Sequence, residues 1–190
     1  MQLSNKIILP YILIFSCFSA TADNTALEVG KSAVCIACHG PTGIGSGPLK
    51  PNLASQDADY IVHQLKAFRS GVRKSIIMNS ISKSLTDKEI IALAEFYSSQ
   101  PFAGIKELGD PVLIKKGADK YSSCWTCHGE QGEGPGSYPS IAGQHPQYTV
   151  QQLLYFKDGS RINPVMKTLV DTLSIDDMKA LGAYIATLSY

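Results

Sequence analysis

Cys35-Ile36-Ala37-Cys38-His39 recurs as Cys124-Trp125-Thr126-Cys127-His128, 89 positions further along the chain. Two thiols separated by two residues lie on one helical turn, where each can add across a vinyl group of a haem, and the adjoining imidazole then falls beneath the iron. The two pentapeptides take up four of the chain's 5 cysteines and two of its 4 histidines. The pattern therefore reads as two covalently bound haem c groups, attached through Cys35, Cys38, Cys124 and Cys127, with His39 and His128 as iron ligands.

Two other chemistries use paired cysteines. A structural zinc site wants its two knuckles roughly 15–20 residues apart, far closer than these. A thioredoxin-like motif sits between a strand and a helix and needs no histidine after its second cysteine; no strand pattern accompanies either pair here.

Composition sets the outer bounds. At 190 residues the chain can hold one domain or two small ones. A charged fraction of 17% with net charge +1 excludes the basic signature of a nucleic-acid binder. Hydrophobic content of 44% is that of a soluble globular protein. Acidic and basic residues nearly balance in each half, so charge alone selects no docking partner.

Residues 1–22 read as a signal peptide. Lys6 precedes the apolar run Ile7 to Phe15, and Ala20-Thr21-Ala22 supplies an A-x-A site, so cleavage is expected near Ala22. The run is too short to span a bilayer comfortably. Cys17 leaves with the signal; the alternative, a lipid-modified Cys17, is disfavoured by the bulky Phe15 and Phe18 beside it.

An internal repeat dominates what remains. Pro51-Asn52-Leu53-Ala54-Ser55-Gln56 echoes Pro139-Ser140-Ile141-Ala142-Gly143-Gln144, after a glycine-rich loop that differs by one residue in length. From there Tyr60, Gln64, Leu65, Phe68, Gly71 and Arg73 match Tyr148, Gln152, Leu153, Phe156, Gly159 and Arg161 at an offset of 88. The chain is two copies of one domain, 23–100 and 112–190, joined by a Pro- and Gly-containing linker over 101–111.

Each copy reads as helices joined by irregular loops. Ile61, Leu65 and Phe68 share one helical face that Gly71 terminates, and Val150, Leu153, Leu154 and Gly159 repeat the arrangement. Thr86 and Glu89 form a capping box ahead of Ile90, Leu93, Ala94 and Tyr97; Ser174 and Asp177 stand ahead of Met178, Leu181 and Ile185. No alternating strand pattern competes, so the fold class is all-α. A half-chain of this size carries a small core, which a buried haem would complete; the apo protein is expected to fold poorly.

The repeat also selects a sixth iron ligand. Met78 in the first copy matches Met166 in the second, and both are expected in loops beyond the glycine caps. A lone methionine is usually core packing, but a thioether opposite histidine is a known haem c pairing that raises the reduction potential. Met178 matches Ile90 and reads as core. His63 and His145 match Gln151 and Asp57, so neither is reproduced; a bis-histidine site through His63 remains the alternative for the first copy.

The ordered run C-x-x-C-H-G, P-x-[LI]-A-x-Q, Y-x-x-x-Q-L, F-[RK]-x-G-x-R and Met, present twice, resembles the di-haem cytochrome c4 family across almost the whole mature chain. The resemblance implies two class I cytochrome c domains with haem edges near their interface, shuttling electrons in the bacterial periplasm, soluble or loosely membrane-associated. It implies that the Pro51 and Pro139 carbonyls accept a proton from His39 and His128. It further implies that Tyr60, Tyr148, Arg73 and Arg161 contact haem propionates, with surface or packing roles as the alternative, and Trp125 is expected on the haem-bearing surface. Ser55 departs from the pattern where the second copy has Gly143, a difference able to change the turn there while leaving the ligands untouched.

With both irons six-coordinate, no position is open for bond-making chemistry, so the expected role is electron carriage rather than catalysis. The resemblance suggests uptake from a quinol:cytochrome c oxidoreductase and delivery to a terminal oxidase. Two alternatives stand beside it: the electron-accepting subunit of a periplasmic dehydrogenase such as a flavocytochrome, and a di-haem peroxidase in which one iron loses its methionine.

Overall fold

The computed structural model describes residues 29–102 and 109–190. The expected signal peptide, Cys17 and residues 103–108 of the linker lie outside the described residues. The first copy contributes α1 (Val29–His39), α2 (Ala58–Ser70), α3 (Ile76–Ser82) and α4 (Asp87–Ser98). The second contributes α5 (Pro111–Tyr121), α6 (Trp125–His128), α7 (Pro146–Asp158), α8 (Pro164–Val170) and α9 (Ile175–Ile185). Among the described residues there is no strand, only an isolated bridge between Gly47 and Lys50, so the all-α expectation holds.

Local chemistry fixes where the helices begin and end. Asp57 Oδ1 accepts the Tyr60 N–H at 2.7 Å to open α2, and Gly71, at φ 79°, closes it in the left-handed region. Gly159 closes α7 at φ 80°. Both capping boxes form: Thr86 with Glu89 on α4, and Ser174 with Asp177 on α9. Each satisfies two orphan N–H groups, a device whose loss costs about 1 kcal/mol.

The apolar faces then close two separate cores. In the first copy Ile61 from α2 meets Leu85, Ile90, Leu93, Ala94 and Tyr97. In the second, Phe156, Val170 and Met178 form one cluster, Tyr121, Leu181 and Ile185 another, and Leu153 and Leu173 touch both. Met178, at the position of Ile90, is fully buried, as its core reading requires. The α5–α9 crossing depends on Gly117, where an added Cβ would stand 2.1 Å from the Ala180 carbonyl oxygen.

Two features differ from the sequence reading. Met78 and Met166 lie on the short helices α3 and α8, not in loops. Seven residues are too few for a periodic signal, but Ser75 Oγ and Asn163 Oδ1 cap these helices by accepting the Met78 and Met166 N–H groups at 3.3 and 3.0 Å. Ser55 does not change the turn it occupies. It adopts φ 58°, nearly the 56° of Gly143, and its N–H donates to Tyr97 O as that of Gly143 does to Ile185 O.

Candidate haem sites

The last turn of α1 carries Cys35, Cys38 and His39, and α6 carries Cys127 and His128 directly after Cys124. Among the described residues no disulfide joins the cysteines. His39 Nδ1 lies 2.9 Å from Pro51 O, and His128 Nδ1 lies 2.9 Å from Pro139 O. A carbonyl can only accept, so the proton sits on Nδ1 and the lone pair on Nε2, the arrangement a metal-ligating imidazole needs. Burial holds both imidazoles below the usual histidine range against the opposing pull of the proline carbonyl. Neutral rings with a fixed tautomer fit a haem iron.

The thiols fit covalent attachment better than redox exchange. Burial pushes Cys35 and Cys124 up from the ordinary thiol range, whereas a reactive redox pair depends on a depressed value. No group of three or more His, Cys, Asp or Glu among the described residues is arranged to hold a metal ion directly.

The methionines come from other elements than their copy's C-x-x-C-H. Met78 and Met166 are both half-buried, and Met166 packs against the Phe156, Val170 and Met178 cluster. A group bridging His39 to Met78 would tie α1 to α3, and one bridging His128 to Met166 would tie α6 to α8. His63 is exposed and its Nδ1 contacts Gln64 Nε2 at 3.0 Å. His145 is buried at the start of α7, its Nε2 3.2 Å from Gly45 O of the other copy. Trp125 is about half exposed.

Tyr60, Tyr148, Arg73 and Arg161 meet in one cluster across the boundary between the copies. Arg73 donates to Gln64 Oε1 (2.7 Å), Gln152 Oε1 (2.8 Å) and Tyr148 Oη (3.0 Å). Arg161 donates to Gln152 Oε1 (2.9 Å), Gln64 Oε1 (3.1 Å) and Tyr60 Oη (2.7 Å). Each guanidinium also covers a phenylalanine of its own copy, Phe68 or Phe156, at 4.5 Å. Two like charges thus share the same two neutral oxygens.

A second set of contacts crosses the same boundary. Gln144 Oε1 accepts the Asn52 N–H at 2.9 Å, and Gln56 Oε1 accepts the Ser140 N–H at 3.0 Å. Sequence reasoning matched these glutamines, with Gln64 and Gln152, as repeated residues but gave them no role. Their identity in both copies was the available signal.

The comparisons with known proteins agree with this geometry. Residues 114–189 match the family model for cytochrome c, and residues 23–96 match that for cytochrome C oxidase, cbb3-type, subunit III. Both halves are therefore c-type cytochrome domains, and the protein is an electron-transfer cytochrome with covalently bound haem c. Cytochrome c4 of Azotobacter vinelandii is 34% identical over 192 residues, covering 88% of this chain and 90% of that protein. The reduced recombinant cytochrome c4 from Pseudomonas stutzeri superposes with a TM-score of 0.79 at 32% identity, covering 84% of this chain and 96% of that one. A thiosulfate dehydrogenase electron acceptor of Stutzerimonas stutzeri is 36% identical, covering 81% of this chain and 78% of its own. The chain belongs to the di-haem cytochrome c4 family, built as two cytochrome c domains in tandem.

Proposed function

We propose that the protein carries two haem c groups in the periplasm and passes electrons from a quinol-oxidising complex to a terminal oxidase. Cys35 and Cys38 hold one group and Cys124 and Cys127 the other. His39 with Met78, and His128 with Met166, are the axial iron ligands. The observation that carries this reading is the duplicated 2.9 Å contact from a C-x-x-C-H imidazole to a proline carbonyl, which orients Nε2 for a metal in both domains.

When bound, haem supplies a one-electron ferric/ferrous couple. This chain's residues would do the rest: the cysteines would hold the group in position, the histidine and methionine of each domain would ligate its iron, and Arg73, Arg161, Tyr60 and Tyr148 would balance its propionates. With both iron ligands supplied by the chain, the site would serve outer-sphere electron transfer rather than bond-making chemistry. Among the described residues no helix is long and apolar enough to cross a membrane. Residues 1–22 act as the export signal, which brings the chain to the compartment where haem c is attached.

Mass spectrometry of the purified protein is expected to show the mature chain plus two haems. Oxidase turnover with this protein as sole reductant is expected to exceed background, and turnover at background would remove the proposed acceptor. A second reading, the electron-accepting partner of a periplasmic dehydrogenase, is favoured by the likeness to the thiosulfate dehydrogenase electron acceptor of Stutzerimonas stutzeri. Reduction by thiosulfate in the presence of a thiosulfate dehydrogenase would support it over the oxidase route.

A further inference from the structure

Pro51 and Asn52 share a peptide group, as do Pro139 and Ser140, and each of these groups is gripped at both ends. Its carbonyl takes the imidazole Nδ1–H of its own domain at 2.9 Å, while its N–H donates to a glutamine of the other domain. The same glutamines donate back through Nε2, Gln144 to Asn52 O at 3.1 Å and Gln56 to Ser140 O at 2.8 Å. Each Oε1 also accepts the next N–H of its own chain segment, His145 or Asp57, at 3.1 Å, which pins the amide against rotation. Asn52, Gln56 and Gln144 are buried and Ser140 is half-buried, which limits competition from water for these bonds.

Hydrogen bonds made through one peptide group reinforce one another. Donation from the N–H polarises the amide and makes its oxygen a stronger acceptor, most effectively where the local dielectric is low. A stronger acceptor at Nδ1 gives the imidazole more anionic character and makes Nε2 a better donor to the metal, which favours the ferric form.

We propose that Gln144 and Gln56 are crossed positioning residues. Gln144, in the second domain, strengthens the hydrogen bond on His39 of the first. Gln56, in the first, does the same for His128 of the second. Each glutamine thereby holds the other domain's one-electron equilibrium toward oxidation. The effect is reciprocal by linkage: oxidation of one site tightens the grip of the opposite glutamine on the peptide beside it. This rests on iron ligation by His39 and His128 as proposed above.

The test is a redox titration of the full haem-loaded protein followed by NMR, each domain read through its own assigned signals, for the natural sequence, Gln144→Leu and Gln56→Leu. Gln144→Leu is expected to move the first domain's equilibrium about threefold toward reduction, an upward shift of about 28 mV at 59 mV per tenfold for one electron. The second domain should move much less. Gln56→Leu should give the mirror image. Equal shifts in both domains, or a shift confined to the substituted domain, overturn the proposal. A second measurement needs no variant: amide hydrogen exchange at Asn52 and Ser140 should be slower in the oxidised protein than in the reduced one, and equal rates overturn it. A natural protein whose two irons carry no histidine ligand from His39 and His128 would instead remove the ligation, and the proposal with it.

Discussion

Replacing Ser82 by alanine is expected to stabilise the first domain. Ser82 closes α3 with no exposed surface, and its Oγ has no hydrogen-bond partner. The matching residue in the second domain is Val170, also buried, which shows that this place in the fold asks for an apolar side chain. A hydroxyl buried without a partner costs about 1–3 kcal/mol. Removing one oxygen leaves a void smaller than a methylene, so the lost packing is below about 0.8 kcal/mol. The balance favours Ser82→Ala by about 1–2 kcal/mol, and 1 kcal/mol raises Tm by roughly 4–8 °C for a domain of this size. Urea unfolding of the haem-loaded protein should show a higher midpoint with unchanged slope. Val170→Ser should move the second domain the opposite way. A lower midpoint for Ser82→Ala would mean that a buried water satisfies the hydroxyl, and the reasoning fails.

Ser55→Gly should stabilise by about 0.5–1 kcal/mol, because the left-handed backbone at φ 58° costs a serine about 1–2 kcal/mol and glycine returns part of that as unfolded-state freedom. Gly143→Ala should lose about 1–2 kcal/mol for the same reason; thermal melts that rank the two variants otherwise count against it. Met78→Ala and Met166→Ala should each remove half of the near-infrared band that reports sulfur on oxidised iron, and an intact band in either variant excludes that methionine as a ligand. Hydrogen bonds from Ser174 and the nearby Lys116 hold the Asp177 carboxyl well below the usual carboxylate range. A depressed folded value means that its stabilisation is complete above about pH 4, the ordinary aspartate value, and fades as pH falls toward the folded value. Asp177→Asn should therefore flatten the acid limb of the stability curve, and an unchanged acid limb would show that Asp177 contributes nothing to it.

Much of this was legible in the chain because covalent chemistry and caps are local. C-x-x-C-H, Gly71, Gly159 and the Thr86–Glu89 pair announce themselves within five residues, and the repeat confirms each against its twin. The helices bearing Met78 and Met166 escaped because two turns give no period to detect. The boundary between the domains escaped for a different reason. Tyr60, Gln64 and Arg73 are visibly matched with Tyr148, Gln152 and Arg161, but a repeat says only that both copies need a residue. It does not say whether its partner lies in the same copy or the opposite one. Gln56 and Gln144 show the ambiguity most plainly: they end a run that belongs to one domain, and their amides work on the other.

Because Gln64 and Gln152 each accept from both arginines, neither half of that cluster can be loosened alone. The contact has the self-complementary pattern of a symmetric homodimer, preserved inside a single polypeptide. Interior positions such as Ser82 and Val170, or Ile90 and Met178, are at liberty to drift apart because each answers only to its own neighbours. Residues in the handshake enjoy no such independence: a change on either side is felt twice, and Gln64, Gln152, Arg73 and Arg161 remain bound to a common vocabulary.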